Sequence, residues 1–138
     1  MSKHISIVFL FTLSLLFTSC SEKDIYTPLE MFDMAYKFDN TIEEVRIAAK
    51  DKDRHLECSD YPQEGCLKGS PKRFKVRLVE MIVVQYMTTR DACRAAAKIG
   101  QWHARNWLLD DVTGEPVLED FVKKVYKAKN PKSIESCN

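Results

Sequence analysis

Residues 74–87 read FKVRLVEMIVVQYM, and the way this stretch is read decides the fold. Even positions Phe74, Val76, Leu78, Ile82, Val84 and Tyr86 are apolar, whereas odd positions begin charged at Arg73, Lys75 and Arg77 and turn apolar at Met81 and Val83. A period of two puts successive side chains on opposite faces of a strand, so the first half is expected to bury one face and the second half both. A helix launched by Ser70-Pro71 fits the apolar spacing passably. β-Branched residues are stiff in a helix and pack well on a pleated surface, which favours the strand. Glu80 breaks the apolar face; a bulge, a salt bridge or a polar edge explains it more simply than a lone functional carboxylate. The strand must pair its backbone groups, and the partners on offer are residues 55–58, residues 108–112 or a second copy of the chain.

Toward the C-terminus, Thr88-Thr89-Arg90-Asp91 turns the strand into a long helix expected over residues 89–108. Its broad face carries Ala92, Ala95, Ala96, Ile99, Trp102, His103, Ala104 and Trp107, with small residues that permit close approach to the strand. Gly100 falls inside this helix and implies close packing or a slight kink. Trp102 and Trp107 are candidate partner-binding residues if exposed, although burial in the core is the more common fate of tryptophan. His103 reads as a structural histidine, lying nearly three turns from Cys93. A last helix is expected over residues 116–127, started by Pro116, lined by Val117, Leu118, Phe121, Val122 and Val125, and closed by lysines.

Toward the N-terminus, Thr27-Pro28-Leu29-Glu30 combines a capping threonine, a first-turn proline and a capping-box glutamate. Thr41-Ile42-Glu43-Glu44 repeats the box, so a pair of short helices is expected, the second burying Ile42, Val45, Ala48 and Ala49. Periodicity stops between His55 and Pro71, an irregular loop holding Cys58 and Cys66. The expected architecture is a small single α+β domain over residues 27–138: a helix pair, a central strand-turn-long helix unit and a C-terminal helix. Disulfides staple it. Of the three pairings open to Cys58, Cys66, Cys93 and Cys137, Cys58 with Cys66 and Cys93 with Cys137 are favoured, the second tying the tail to a helix. A zinc site from His55, Cys58, Cys66 and His103 competes, but lacks the paired spacings of such sites.

The sequence opens with Lys3 and His4, continues apolar from Ile5 to Phe17, and closes on Thr18, Ser19 and Cys20. Charge, a short apolar core and small residues in that order make a secretory signal, and the core is too short to span a bilayer roughly 30 Å thick. Leu16-Phe17-Thr18-Ser19-Cys20 resembles the lipobox of bacterial lipoproteins. That resemblance covers these residues alone and departs from the family at Phe17, where an aliphatic residue is usual. It implies cleavage after Ser19, acylation at Cys20 and a lipidated tether over residues 20–26. With Ser21 following the cysteine, it also implies an outer-membrane, periplasmic or surface location. Cys20 then belongs to lipid, and the remaining four cysteines sit in an oxidising compartment.

Beyond the signal, basic and acidic residues balance, so no global charge for nucleic acid exists. Their distribution is uneven. Residues 20–66 hold 6 Lys/Arg against 12 Asp/Glu, residues 67–109 hold 9 against 2, and residues 110–138 hold 5 against 6. The basic block pairs with the acidic start or forms a surface for an anionic partner, with Lys68, Lys72, Arg73, Lys75, Arg77, Arg90 and Arg94 as candidates. No phosphate loop, metal cluster, nucleophile-base order or carboxylate pair is visible, so neither catalysis nor a cofactor is expected. The function expected is that of an envelope lipoprotein serving as an accessory or structural protein-binding component of an envelope assembly. The alternative is a module that binds an anionic envelope ligand or an acidic protein through the basic 68–94 segment. Oligomeric state stays open.

Overall fold

The computed structural model describes residues 23–138. Its elements are α1 (Pro28–Phe38), β1 (Glu43–Val45), β2 (Lys72–Val76), β3 (Val79–Gln85), α2 (Thr89–Ile99), β4 (Trp102–Ala104), β5 (Trp107–Asp110) and α3 (Pro116–Tyr126). The five strands form one antiparallel sheet in the order β1-β2-β3-β5-β4. Helices α1 and α3 cover one face and α2 the other, giving an α+β domain with the sheet between helical layers.

The 74–87 stretch is a hairpin, not one strand. Val76 pairs with Val79 and Phe74 with Met81 across a two-residue turn at Arg77-Leu78, where Arg77 takes φ 57. The turn shifts the phase of the alternation. Phe74, Val76, Met81 and Val83 join the core under α1 and α3, while Ile82, Val84 and Tyr86 face α2. Burial of β3 on both faces follows, as its composition implied. Glu80 sits opposite Lys75 in the register and within ion-pair distance of Arg54 and Arg73. Of the expected pairing partners, the 108–112 region is the one used, through Leu108–Asp110 of β5, whereas residues 55–58 are not a strand.

Two other expectations need correction. The second N-terminal helix is absent: Asp39 accepts bonds from the Thr41 backbone and hydroxyl at 3.0 and 2.6 Å, reversing the chain into β1. Ile42 enters the core, and Glu43 and Glu44 reach Lys75 and Lys72 at 3.5 and 3.2 Å. Cross-strand pairing outcompetes an isolated short helix here. The long helix is likewise shorter. Gly100 lies at its end rather than inside it, at φ 68, donating back to Ala96, and the next residues form the β4–β5 hairpin. Trp102 and His103 therefore lie on a strand, and Trp107 on the next.

The remaining helices match their signals. Thr27 Oγ1 accepts from the Glu30 N–H at 3.2 Å and Glu30 accepts from the Thr27 N–H at 2.8 Å, closing the capping box of α1. Thr88 caps α2 through the Asp91 N–H at 3.0 Å. Tyr126, in the last turn of α3, donates to the Met31 carbonyl at 2.9 Å and ties α3 to α1. Disulfides join Cys58 to Cys66 and Cys93 to Cys137. The exposed edge of β4 is closed by the tail, His103 and Lys129 exchanging backbone bonds at 2.8 and 2.9 Å.

Gly65 is the tightest glycine. At φ 77 its added Cβ would lie 2.9 Å from the Asp91 Cβ and 2.5 Å from its carboxylate, on the first turn of α2. Gly65→Ala is expected to lower the unfolding free energy by about 2–3 kcal/mol, combining left-handed strain with overpacking. Gly100→Ala, whose Cβ meets nothing within 4 Å, is expected to cost about 1 kcal/mol. Urea melts of the two variants check the order.

Candidate functional site

The basic residues singled out from sequence do not converge. Those on β2 and its turn are each held by an acid: Lys72 by Glu44, Arg73 by Glu80 at 3.8 Å, Lys75 by Glu43, and Arg77 by Asp39 at 3.8 Å. Arg90 and Arg94 stand on α2, which covers the sheet over β3, β5 and β4. Arg90 donates to the Asn138 side chain at 2.8 Å, and the Arg94 Nε is buried without a hydrogen-bond partner. Lys68 sits in the exposed loop before β2. The acidic start of the chain thus neutralises its basic middle at the β1–β2 edge.

The end of the sheet left open by α2 closes on itself. Arg54 donates to both oxygens of Glu80 at 3.0 and 2.8 Å, and Arg73, only 16% exposed, donates to the Arg54 carbonyl at 3.4 Å. Burial, followed by the neighbouring Asp110, pushes the Tyr61 hydroxyl well above its ordinary range. Burial and Asp110 also raise Asp111, which Arg73 partly offsets. Glu80 is therefore a structural partner of two arginines. Beside this cluster runs a groove of about 310 Å³ lined by Arg46, Arg54, His55, Lys72 and Arg73 with Glu44, the nearest approach in the fold to the expected basic surface for an anionic partner.

Trp102 and Trp107 are core residues, 8% and 1% exposed, so an exposed aromatic platform does not exist. Lys123 lies 5.0 Å from the Trp102 ring centre, and Trp107 Nε1 donates to the Tyr26 carbonyl at 2.8 Å. The competing zinc set is dispersed. Cys58 and Cys66 are bonded to each other, His55 lies 3.1 Å from the Ala48 carbonyl, and His103 is on β4. Among the described residues no thiol is free and no group of three metal-ligating side chains forms. Cys20 lies outside the described residues.

Two ends of the domain were not visible in the sequence. At one, the expected tether is docked: Thr89 Oγ1 donates to the Asp24 carbonyl at 2.6 Å, the Tyr26 N–H to Asn106 at 2.8 Å, and Gln85 joins Trp107 on the Tyr26 carbonyl at 3.3 Å. Beside it opens a cavity of about 270 Å³ lined by His103, Arg105, Lys127 and Lys129 with Thr89 and Tyr126. At the other end, about 20 Å away along the seven residues of β3, Leu78 stands 91% exposed at the hairpin apex. Next to it, Phe38, Val76, Arg77, Val117 and Phe121 line a small cleft, and Phe38 is exposed.

His103 is buried, and burial lowers its pKa from 6.5, partly opposed by the Arg105 backbone and reinforced by repulsion from Lys129. The unfolded chain then binds this proton more readily, so stability is full above about pH 6.5 and falls as pH drops toward the depressed folded value. Unfolding free energy measured from pH 7.5 to 5 is expected to decline, and His103→Gln is expected to remove part of that slope.

No family model matches the chain, and searches of curated proteins and of solved structures return no match.

Proposed function

We propose that the chain is an envelope lipoprotein, acylated at Cys20 and held at the outer membrane, where it serves as an accessory protein-binding component of an envelope assembly. The observation that carries the reading is the polarity of the domain. Its tether is docked at one end, and a fully exposed Leu78, with Phe38 beside the neighbouring cleft, projects from the opposite end. An apolar apex turned away from the tether suits contact with a protein partner; large apolar side chains are exposed elsewhere too, but Leu78, at 91%, is the most exposed of them among the described residues and has Phe38 beside its cleft. Two disulfides suit an oxidising compartment and consume every cysteine except Cys20. The anionic-ligand alternative has its best support in the Arg46–Arg73 groove, but the β2 cations already spend their charge on Glu43, Glu44 and Glu80.

The test begins with the intact mass of the chain purified from membranes, before and after thiol alkylation, with Cys20→Ala alongside. Loss of residues 1–19, acyl mass on Cys20 and no alkylation are the expected results. A photo-crosslinker at Leu78 should then give a discrete protein adduct in cells, and one at Lys50 should not. An unacylated product, or equal crosslinking from both positions, would sink the proposal.

A further inference from the structure

The tether end carries a second surface, distinct from the exposed apex. Only Ser21, Glu22 and Lys23 separate Cys20 from Asp24, whose carbonyl is bonded to Thr89. Four residue steps span at most about 14 Å, so an acyl group on Cys20 holds Thr89 and its neighbours close to the lipid surface. Thr89 lines the same cavity as Arg105, Lys127 and Lys129. The Arg105 guanidinium lies 6.0 Å from the Tyr26 ring centre, so this arginine is itself part of the tether junction. Lys127 and Lys129 are exposed, and neither has an ion-pair partner among the described residues, in contrast with every cation of β2. Lys127 moreover occupies a left-handed backbone position, φ 54, that local preference would give to glycine or asparagine. Exposed Met87, just before α2, and exposed Ile25, within the docked tether, add apolar side chains at the same end. Asp24 and Glu30 bring negative charge here, Glu30 paired with Lys23, and Glu22 lies in the adjoining sequence; against them stand Arg90, Arg105, Lys127 and Lys129.

We propose that this end of the domain lies flat on a phosphate-bearing lipid surface, with Lys127 and Lys129 at anionic headgroups and Met87 and Ile25 at the interface. The inference rests on the anchoring at Cys20 proposed above. Charge complementarity and tether length select lipid as the occupant. Each cation within a Debye length of an anionic surface strengthens association by roughly fivefold, and the effect is screened by salt. The short docked tether fixes which face is presented, so the exposed Leu78 apex points away from the membrane.

The full mature chain, extracted from membranes and checked by intact mass, is reconstituted in vesicles of phosphatidylcholine alone or with one quarter phosphatidylglycerol. A membrane-impermeant amine reagent is added, and labelling is read peptide by peptide. Lys127 and Lys129 are expected to react at least fivefold more slowly on the anionic vesicles at low salt, and to recover in concentrated sodium chloride. Lys50 and Lys52 should react alike on both. Equal labelling of Lys127 and Lys129 on the two surfaces overturns the proposal while leaving the anchor intact. Protection by inorganic phosphate without vesicles also overturns it, by making the cavity a free-anion site. If the mass shows no acyl group, the anchor reading fails separately, and flotation of the same full chain with the two vesicle types decides the surface. Preferential flotation with anionic vesicles, reduced more than tenfold in K127Q/K129Q, supports it; equal flotation with the two vesicle types overturns it.

Discussion

Trp107→Ala is expected to lower the unfolding free energy by about 3–5 kcal/mol, the range for truncating a buried aromatic residue. Among the described residues Trp107 is the bulkiest of the fully buried side chains, and it sits on β5 between Gln85 of β3 and Ala104 of β4. The loss has two parts that a second variant separates. Trp107→Phe keeps an aromatic ring but removes the Nε1 donor to Tyr26, leaving that carbonyl with the Gln85 amide at 3.3 Å. A net hydrogen bond contributes about 0.5–1.5 kcal/mol, so with imperfect filling the phenylalanine variant should lose about 1–2 kcal/mol. Urea unfolding measures both, and exchange of the Tyr26 amide, bonded to Asn106, reports whether the docked Asp24–Tyr26 segment loosens. If phenylalanine proves as costly as alanine, the hydrogen bond outweighs packing, contrary to this expectation.

Opening the Cys93–Cys137 disulfide should cost nearly as much. Its partners are 44 residues apart, against 8 for Cys58–Cys66. In the chain-entropy account, freeing loops of these lengths costs roughly 4 and roughly 2.5 kcal/mol, respectively. Cys93→Ala/Cys137→Ala is therefore expected to be the more destabilised double variant in thermal or urea melts. It should also lose order in the tail, because Cys137 holds the short turn at 134–137 against α2. Breaking both would remove about 6.5 kcal/mol, comparable with the whole stability of many domains of this size. Reduction by dithiothreitol should then bring the fold close to its unfolding midpoint. Identical melts for the two double variants would mean that the denatured chain already keeps its ends together.

The α+β class and three helix starts were legible in the sequence, because capping residues and first-turn prolines are local signals; the cysteine count implied two disulfides without choosing among three pairings, and the favoured pairing is the one formed. The two hairpins were not. Both turn at two residues led by an arginine in the left-handed region, Arg77 at φ 57 and Arg105 at φ 51, where glycine or asparagine would have announced the turn. Without that cue, alternation runs on through Arg77-Leu78 and reads as one strand. The Trp102–Trp107 stretch likewise continues the apolar spacing of the preceding helix. Thr41–Glu44 carries a sound helix-start pattern, yet its glutamates find better partners in Lys72 and Lys75 across the sheet. Pairing of the basic block with the acidic start was legible as one of two readings, but which acid meets which cation was not, since that depends on the misread strand. The docked end was the least legible feature: the Tyr26 carbonyl receives donors 59 and 81 positions away, a contact that no local pattern encodes.

The docked segment also has a mechanical consequence. A load drawn through the chain ahead of Asp24 meets the bonds donated by Thr89, Gln85 and Trp107 and the one that the Tyr26 N–H donates to Asn106 before it reaches the capping box of α1. Gln85 and Trp107 belong to β3 and β5, interior strands with a neighbour on each side. Tension is therefore shared over several bonds and delivered to the middle of the sheet, rather than peeling an outer strand one bond at a time. The Asp24–Tyr26 junction acts as a strain relief, as a clamp protects the joint where a cable enters its housing.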